Sequence, residues 1–174
     1  QQGHRRGGAG GLCPVHGSSG RWVLFNGMLD NASTLAAELG LPGNSPNEQI
    51  YAAALDRFGP AADSHCIGHY CAISGDPAGD ELRLARSPND APPLHYTWSE
   101  HGCVVASVPR VLAAAGLSLE IDPARFAANF SFDHADQECG WYKQTWQVPL
   151  GSVVMLNRRQ RHCRVWYDPL ALPI

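Results

Sequence analysis

Residues 21–40, RWVLFNGMLDNASTLAAELG, decide the fold, because within this stretch a strand pattern gives way to a helix pattern. Residues 22–25 are apolar, aromatic or β-branched, which is typical of a buried strand. The dipeptide Asn26-Gly27 is a turn signal and is expected to end that strand. Asn31 is expected to cap a helix, and Gly40 to end it in a left-handed conformation. The stretch therefore predicts a strand, a turn and a helix in succession.

The flanking sequence predicts further elements in blocks rather than in strict alternation. Residues 44–60 carry capping residues, a proline near the first turn and a Gly-Pro stop, so a second helix follows the first. Two later helices are predicted over 108–116 and over 122–130, where Asp122 is the expected cap. Strand-like runs with a period of two occupy 69–76, 81–87, 93–99 and 101–108 as an antiparallel meander, and 151–168 as a hairpin. We expect an α+β fold, a four-layer α/β/β/α sandwich of antiparallel sheets. Its predicted core contains Val23, Phe25, Ile73, Val104, Val105 and Val153.

Composition limits the classes of function. The chain has 174 residues, 44% of them hydrophobic and 17% charged, which suits one globular domain. A formal net charge of −3 gives no general basic surface for nucleic acid. No apolar run approaches the roughly 20 residues that span a bilayer, so we expect no membrane partner and a cytoplasmic location. The six cysteines form no C-x-x-C pair, so we expect reduced thiols.

One cluster of candidate metal ligands stands at residues 65–71. His65, Cys66, His69 and Cys71 include the imidazole and thiol groups that zinc accepts. On an extended strand, however, Cys66 would point away from the other three. We therefore predict no metal site in this chain.

The decisive stretch also contains a recognisable motif. Asn26-Gly27-Met28-Leu29-Asp30-Asn31 resembles the N-G-E-[IL]-[YF]-N signature of class II glutamine amidotransferase domains, the N-terminal-nucleophile hydrolases at the front of asparagine synthetases. The resemblance implies that Asn26 and Gly27 are catalytic. Their amide groups would donate hydrogen bonds to the oxyanion that forms when a thiolate attacks the glutamine carboxamide.

Further segments match the same family in the same order. Gly3-His4-Arg5-Arg6 resembles its G-H-x-R segment, which implies that Arg6 binds the α-carboxylate of the substrate. The other matching segments are RSPNDAPPLHY at 86–96, CVVASVPRVLAAAG at 103–116 and TWQVPLGSVVML at 145–156. The resemblance divides the chain into a Gly/Arg-rich segment at 1–20 that belongs to the start of the domain, an amidotransferase-like domain at 21–168 and an exit linker at 169–174.

Several positions depart from the family pattern. The family nucleophile is an N-terminal cysteine whose α-amine serves as the base, whereas this sequence opens with Gln1, already at the arginine segment. Cys13 cannot take that role, because its backbone nitrogen is an amide. The family's S-D-x-E segment, whose aspartate binds the substrate ammonium, appears here as Ser45-Pro46-Asn47-Glu48. Ser87, Asp90 and Val108 replace the usual Asp, Gly and Glu of the later motifs.

Three functions stay open on the sequence alone. The first is a degenerate glutaminase-like domain that serves a structural role beside a C-terminal synthetase or ligase domain in an ATP-dependent, asparagine-synthetase-like, amide-forming enzyme. The second is a working glutaminase that supplies ammonia to such a partner. The third is a small binding module that uses the His/Cys strand. ATP and Mg²⁺ are expected only in the synthetase partner, with no cofactor in this chain.

Overall fold

Helices and strands follow one another in nearly the predicted order. The computed structural model describes residues 13–76, 79–100, 102–130 (the backbone alone at 129 and 130), 138, 140–157 and 160–168. Its helices are α1 (Ala32–Glu38), α2 (Asn47–Phe58), α3 (Ala62–His65), α4 (Pro109–Ala114) and α5 (Pro123–Phe130), with a 3₁₀ turn at Gly59–Ala61. Its strands are β1 (Val15–His16), β2 (Trp22–Leu29), β3 (Gly68–Gly75), β4 (Leu82–Arg86), β5 (His95–Ser99), β6 (Gly102–Ala106), β7 (Trp146–Gln147), β8 (Ser152–Leu156) and β9 (Arg161–Val165).

The strands form two antiparallel sheets. The larger sheet has the order β1-β2-β3-β4-β8-β9 and the smaller one the order β6-β5-β7. The predicted meander is wrong in one respect, because β4 and β5 lie in different sheets and the run is two separate hairpins. The predicted C-terminal hairpin is confirmed as β8 paired with β9.

Alternating residues of the large sheet face two different cores, which gives the fold its layers. Val23 and Phe25 face α1 and α2 in a first core. Leu84 and Val154 face the smaller sheet in a second core. Helix α4 packs against β6. The architecture is therefore the predicted α/β/β/α arrangement of antiparallel sheets.

The predicted core residues divide accordingly. Val23, Phe25 and Val153 are buried in the first core, and Ile73 and Val105 pack at the edge of the second. Val104 was predicted to be core, which is wrong: it is only half-buried and belongs to neither core. It neighbours Val105 in β6, and successive side chains of a strand face opposite sides.

Strand β2 does not end where the turn signal predicted. It continues through Asn26-Gly27 as far as Leu29, with Gly27 opposite Tyr70 on β3. Gly27 has a φ of 135°, and a Cβ atom there would lie 2.1 Å from the carbonyl oxygen of His69. The glycine marks a close approach of two strands instead of a turn.

Asn31 also has a different role from the one predicted. It precedes α1, but its side chain makes no capping hydrogen bond. Its Nδ2 donates to the carbonyl oxygen of His65 at 2.9 Å, and its Oδ1 accepts from the backbone N–H of Ile67 at 3.0 Å. Asn31 thereby fixes the segment that enters β3. The predicted left-handed end of α1 at Gly40 is confirmed by its φ of 71°. The predicted cap at Asp122 is also confirmed, because its carboxylate accepts from the backbone N–H of Ala124.

A buried ionic network joins the helices to the large sheet. Asp63 on α3 is ion-paired with Arg83 on β4, and both are almost fully buried. The hydroxyl of Tyr51 donates to the Asp63 carboxylate at 2.8 Å, and that of Tyr70 at 3.0 Å. Arg83 also donates to the Tyr51 hydroxyl. The charges are paired and hydrogen-bonded, as burial requires.

Candidate functional site

Asn26 and Gly27 lie side by side in β2, and both are exposed. Asn26 stands opposite Cys71 on β3, Cys71 stands opposite Arg86 on β4, and Arg86 stands opposite Ser152 on β8. Directly opposed residues of neighbouring strands project from the same face of a sheet. We call Asn26, Cys71, Arg86 and Ser152 the polar row.

The polar row borders the second core. Two residues further along the strands, the corresponding positions on β3, β4 and β8 are Ile73, Leu84 and Val154, which pack in or against that core. The change from an apolar row to a polar one places the predicted oxyanion-binding residues at one end of the space between the two sheets. Asn26 is the exposed member of the row, whereas Cys71 and Arg86 are 4% and 8% exposed.

Arg86 ties the large sheet to segments next to the small one. Its Nη1 donates to the carbonyl oxygen of Val148 at 3.1 Å, and its Nη2 donates to that of Ala91 at 2.9 Å. Ala91 precedes β5, and Val148 follows β7. The guanidinium therefore fixes the polar row in relation to both sheets.

Cys71 is a neutral thiol in this setting. Burial raises the pKa of the Cys71 thiol above its ordinary value, and the Arg86 charge and the Asn26 amide oppose that shift only in part. Burial likewise lowers the pKa of Arg86, with only Cys71 acting in the other direction. Because the thiolate is the nucleophilic form, Cys71 is not an activated nucleophile.

Pro46 occupies the position at which the resemblance requires an aspartate. It is exposed and is the N-cap of α2, and its carbonyl oxygen accepts from the N–H groups of Gln49 and Ile50. A proline side chain offers neither a charge nor a hydrogen bond. Pro46 therefore starts the helix through its backbone and offers no side-chain group that could pair with an ammonium.

Two other departures from the family pattern have structural explanations. Ser87 is fully buried, and its hydroxyl accepts from the backbone N–H of Tyr70 at 2.9 Å, so it extends the pairing of β3 and β4. Asp90 adopts a φ of 42° in place of a glycine, a conformation that aspartate tolerates better than most residues.

Among the described residues, the remaining candidates lie away from the polar row. Arg6 lies outside the described residues. Cys13 is exposed near the start of β1. The predicted strand of histidines and cysteines begins only at Gly68, which corrects the placement of His65 and Cys66. His65 ends α3 and stacks on Phe58 at 3.8 Å between ring centroids, while Cys66 is buried in the first core.

Two negative findings apply to the described part of the chain. It contains no group of three or more His, Cys, Asp or Glu side chains arranged to hold a metal ion. It also contains no helix that is long and apolar enough to cross a bilayer.

Neither Cys71 nor Arg86 was predicted to belong to this site, although Cys71 was among the candidate metal ligands. One face of β4 carries Leu82, Leu84 and Arg86, because side chains of a strand alternate between its two faces. An arginine that follows two leucines on one face could have indicated a buried charge at the end of this strand. The pairing of β4 with β8, by contrast, joins segments far apart in the chain and leaves no local signal.

Comparisons with known proteins found structures that share this fold. Solved structures with a similar fold include glutamine phosphoribosylpyrophosphate (PRPP) amidotransferase from B. subtilis, complexed with ADP and GMP, with a TM-score of 0.62 and 17% identity. They also include the allosteric regulatory enzyme of purine biosynthesis, with a TM-score of 0.60 and 17% identity. Each match covers 90% of this chain but only 31% of the other chain, and identity this low shows the fold alone. No curated protein matches the sequence significantly.

The family model described as a glutamine amidotransferase domain matches residues 7–167, which is most of the chain. That range contains Asn26, Gly27 and the whole polar row, and the fold is similar to that of the PRPP amidotransferase structure. The chain belongs to the glutamine amidotransferase domain family.

Proposed function

We propose that this domain does not hydrolyse glutamine and instead supports a C-terminal synthetase or ligase partner in an ATP-dependent, asparagine-synthetase-like enzyme. Pro46 is the observation that carries the proposal. A bound amino acid presents an ammonium group, and an unpaired ammonium in a binding site loses a hydrogen bond to a charged group, which costs about 1.5 to 3 kcal/mol.

Asn26 and Gly27 support a second candidate, a working glutaminase. Both are retained, adjacent and exposed, as an oxyanion-binding pair requires. The two candidates differ in a measurable way, because only the working domain binds glutamine and releases ammonia.

Calorimetry with glutamine tests the proposal on the unmodified chain. We expect no dissociation constant below about 1 mM, which corresponds to a binding free energy of about 4 kcal/mol. We also expect no ammonia release above background. A dissociation constant below that value, or ammonia release that depends on Asn26, would overturn the proposal in favour of the working glutaminase.

A pair of variants tests the role of Pro46. Pro46→Asp restores a carboxylate at the position that the resemblance assigns to ammonium binding, and we expect it to strengthen glutamine binding by about tenfold or more. Asn47→Asp is the matched control, because it adds the same charge at the same helix start one residue along. Equal effects of the two substitutions would show that charge near α2, and not position 46, governs binding.

The cofactor assignment is part of the same proposal. ATP and Mg²⁺ would bind the synthetase partner, so titration of this chain with both should give no heat of binding. Stoichiometric ATP binding by the chain would place the nucleotide site in this domain and contradict its proposed location in the synthetase partner.

A further inference from the structure

Strand β9 forms one edge of the larger sheet, with β8 on its inner side. At one end of this pair, the backbone N–H of Asn157 donates to the carbonyl oxygen of Gln160. At the other end, the N–H of Trp166 donates to the carbonyl oxygen of Gly151. Directly bonded pairs alternate with unbonded ones along an antiparallel ladder. The even-numbered residues of β9 are therefore the ones that bond to β8.

The odd-numbered residues of β9 direct their backbone groups to the open side of the strand. These residues are Arg161, Cys163 and Val165, so each contributes one N–H and one carbonyl group to the edge. No described residue forms a hydrogen bond with any of these groups. Val165 is also 60% exposed, so the edge is accessible at that end. An edge of this kind can accept an added strand.

The edge carries positive charge on the side towards the helices. Residues 158–164, RRQRHCR, contain four of the thirteen Lys and Arg residues of a chain whose net charge is −3. His162 and Arg164 stand opposite Met155 and Val153, which pack against or in the first core. Both are exposed, and neither forms an ion pair with a described carboxylate.

The other face of β9 is already compensated. Arg161 is paired with Glu138 at 3.4 Å and lies over the Trp146 ring. Arg164, by contrast, donates to the neutral carbonyl oxygen of Pro60, which leaves its charge unpaired among the described residues. The positive charge available to a partner therefore lies on the side of the helices.

A second copy of this chain is a poor occupant of the edge. If two β9 strands paired antiparallel about Cys163, each Arg164 would stand opposite His162 of the other copy. Opposed groups that carry or can gain positive charge disfavour such pairing. The edge instead suits a strand with acidic side chains at alternate positions, because alternate residues of a strand project from one face.

We propose that β9 accepts an extended acidic segment of a partner protein as an added antiparallel strand, the more stable of the two orientations. The backbone of the segment bonds to the open groups of Arg161, Cys163 and Val165. Its acidic side chains stand opposite His162 and Arg164, with an apolar side chain between them. This inference goes beyond the proposed function, since it requires neither binding nor hydrolysis of glutamine.

The peptide acetyl-Glu-Val-Glu-Val-Glu-amide is the probe, and hydrogen exchange of the full chain, followed by nuclear magnetic resonance, is the readout. Saturable slowing of exchange is expected at the amides of Arg161, Cys163 and Val165. The amides of His162 and Arg164 should change little, because they already bond to β8. Equal slowing at all five amides, or none, would overturn the proposal.

Two control peptides separate strand pairing from attraction between charges. With the glutamates opposite His162 and Arg164, the valine N–H groups face β9 and the glutamate N–H groups face away. N-methylation of both valines should abolish the slowing, whereas N-methylation of the first and third glutamates should preserve it. Equal results with the two peptides would contradict an added strand.

Variants of the chain test the edge and its charge separately. Val165→Pro removes an N–H that bonds to no described residue, so it should abolish peptide binding and leave thermal unfolding nearly unchanged. Arg164→Glu should raise the dissociation constant of the peptide by about fivefold or more. Arg110→Glu is the matched control, because Arg110 is exposed on α4. Equal losses in the two charge variants would overturn the proposal.

Other occupants of the edge give different results. Sedimentation of the unliganded chain should be the same with and without Val165→Pro. Self-association that this substitution removes would overturn the proposal in favour of a second copy. A single-stranded oligonucleotide that displaced the peptide without slowing exchange at Cys163 would overturn it in favour of a general anion surface.

Discussion

At the scale of single residues, Gly27 controls whether β2 can pair with β3. Its φ is positive, and a Cβ atom built on it would lie 2.1 Å from the His69 carbonyl oxygen, which leaves no room for a methyl group. Gly27→Ala should therefore lower the free energy of unfolding by about 3 kcal/mol or more, measured by urea denaturation.

Gly40→Ala is the matched control for that substitution. Gly40 also has a positive φ, of 71°, but a Cβ atom there would meet nothing within 4 Å. Only backbone strain remains, at about 1 to 2 kcal/mol. If both variants lost the same stability, contact with β3 would not be the reason for the glycine at position 27.

Asn31 offers a second test at this scale. Its amide bridges His65 and Ile67, so Asn31→Ser should cost about 1 to 2 kcal/mol, because serine cannot span both groups. Serine and asparagine are nearly equal as helix caps, so a capping role predicts almost no loss. Urea denaturation of this variant decides between the two roles.

At the scale of elements, the hairpin of β1 and β2 is fastened to α2 through Asp56. The hydroxyls of Ser18 and Ser19 donate to its carboxylate at 2.8 and 2.6 Å. Burial raises the pKa of Asp56, but these hydrogen bonds outweigh it and hold the pKa below its ordinary value.

A lowered folded-state pKa fixes the direction of a pH effect. Asp56 stabilises the fold above the unfolded pKa of about 3.9, and this contribution is lost as the pH falls through the lower folded value. Asp56→Asn should therefore flatten the acid side of the plot of stability against pH. If Asp56 made no net contribution, the variant and the unmodified chain would show the same slope below about pH 4.

The link between α3 and β4 can be tested by comparing single and double substitutions. Arg83→Met leaves Asp63 buried and unpaired and should cost about 3 to 5 kcal/mol. Adding Asp63→Leu removes the stranded charge and should recover part of that loss. A double variant less stable than Arg83→Met would show that the pair contributes more than its own desolvation cost.

At the scale of the whole molecule, the second core should tolerate a buried charge far less than a position outside both cores. Val154 is fully buried in the second core, so Val154→Asp should cost about 4 kcal/mol. Val104 belongs to neither core, and Val104→Asp should cost about 1 kcal/mol. Thermal unfolding of the two variants compares them, and similar losses would contradict the assignment of layers.

The strand pairings of the whole molecule explain why individual strands could be predicted from the sequence but their assignment to sheets could not. Strands at 69–76 and 81–87 could be predicted because both are short apolar runs bounded by turn residues. The sheet to which each strand belongs depends on pairings such as Arg86 with Ser152, which no local pattern records. The turn predicted at Asn26-Gly27 is wrong, because the close approach of β3 requires the same glycine that a turn does.

The position of β4 has a consequence for how the chain matures during synthesis. One edge of β4 pairs with β3, which precedes it in the chain, whereas the other edge has no partner until β8 has been made. The Val148 carbonyl oxygen that accepts from Arg86 also lies 62 residues further along the chain. Until then a nascent chain presents an unpaired strand edge, the kind of surface that invites association with other chains. Contacts this distant in sequence also form slowly. The domain therefore reaches its final state only once nearly all of it has left the ribosome.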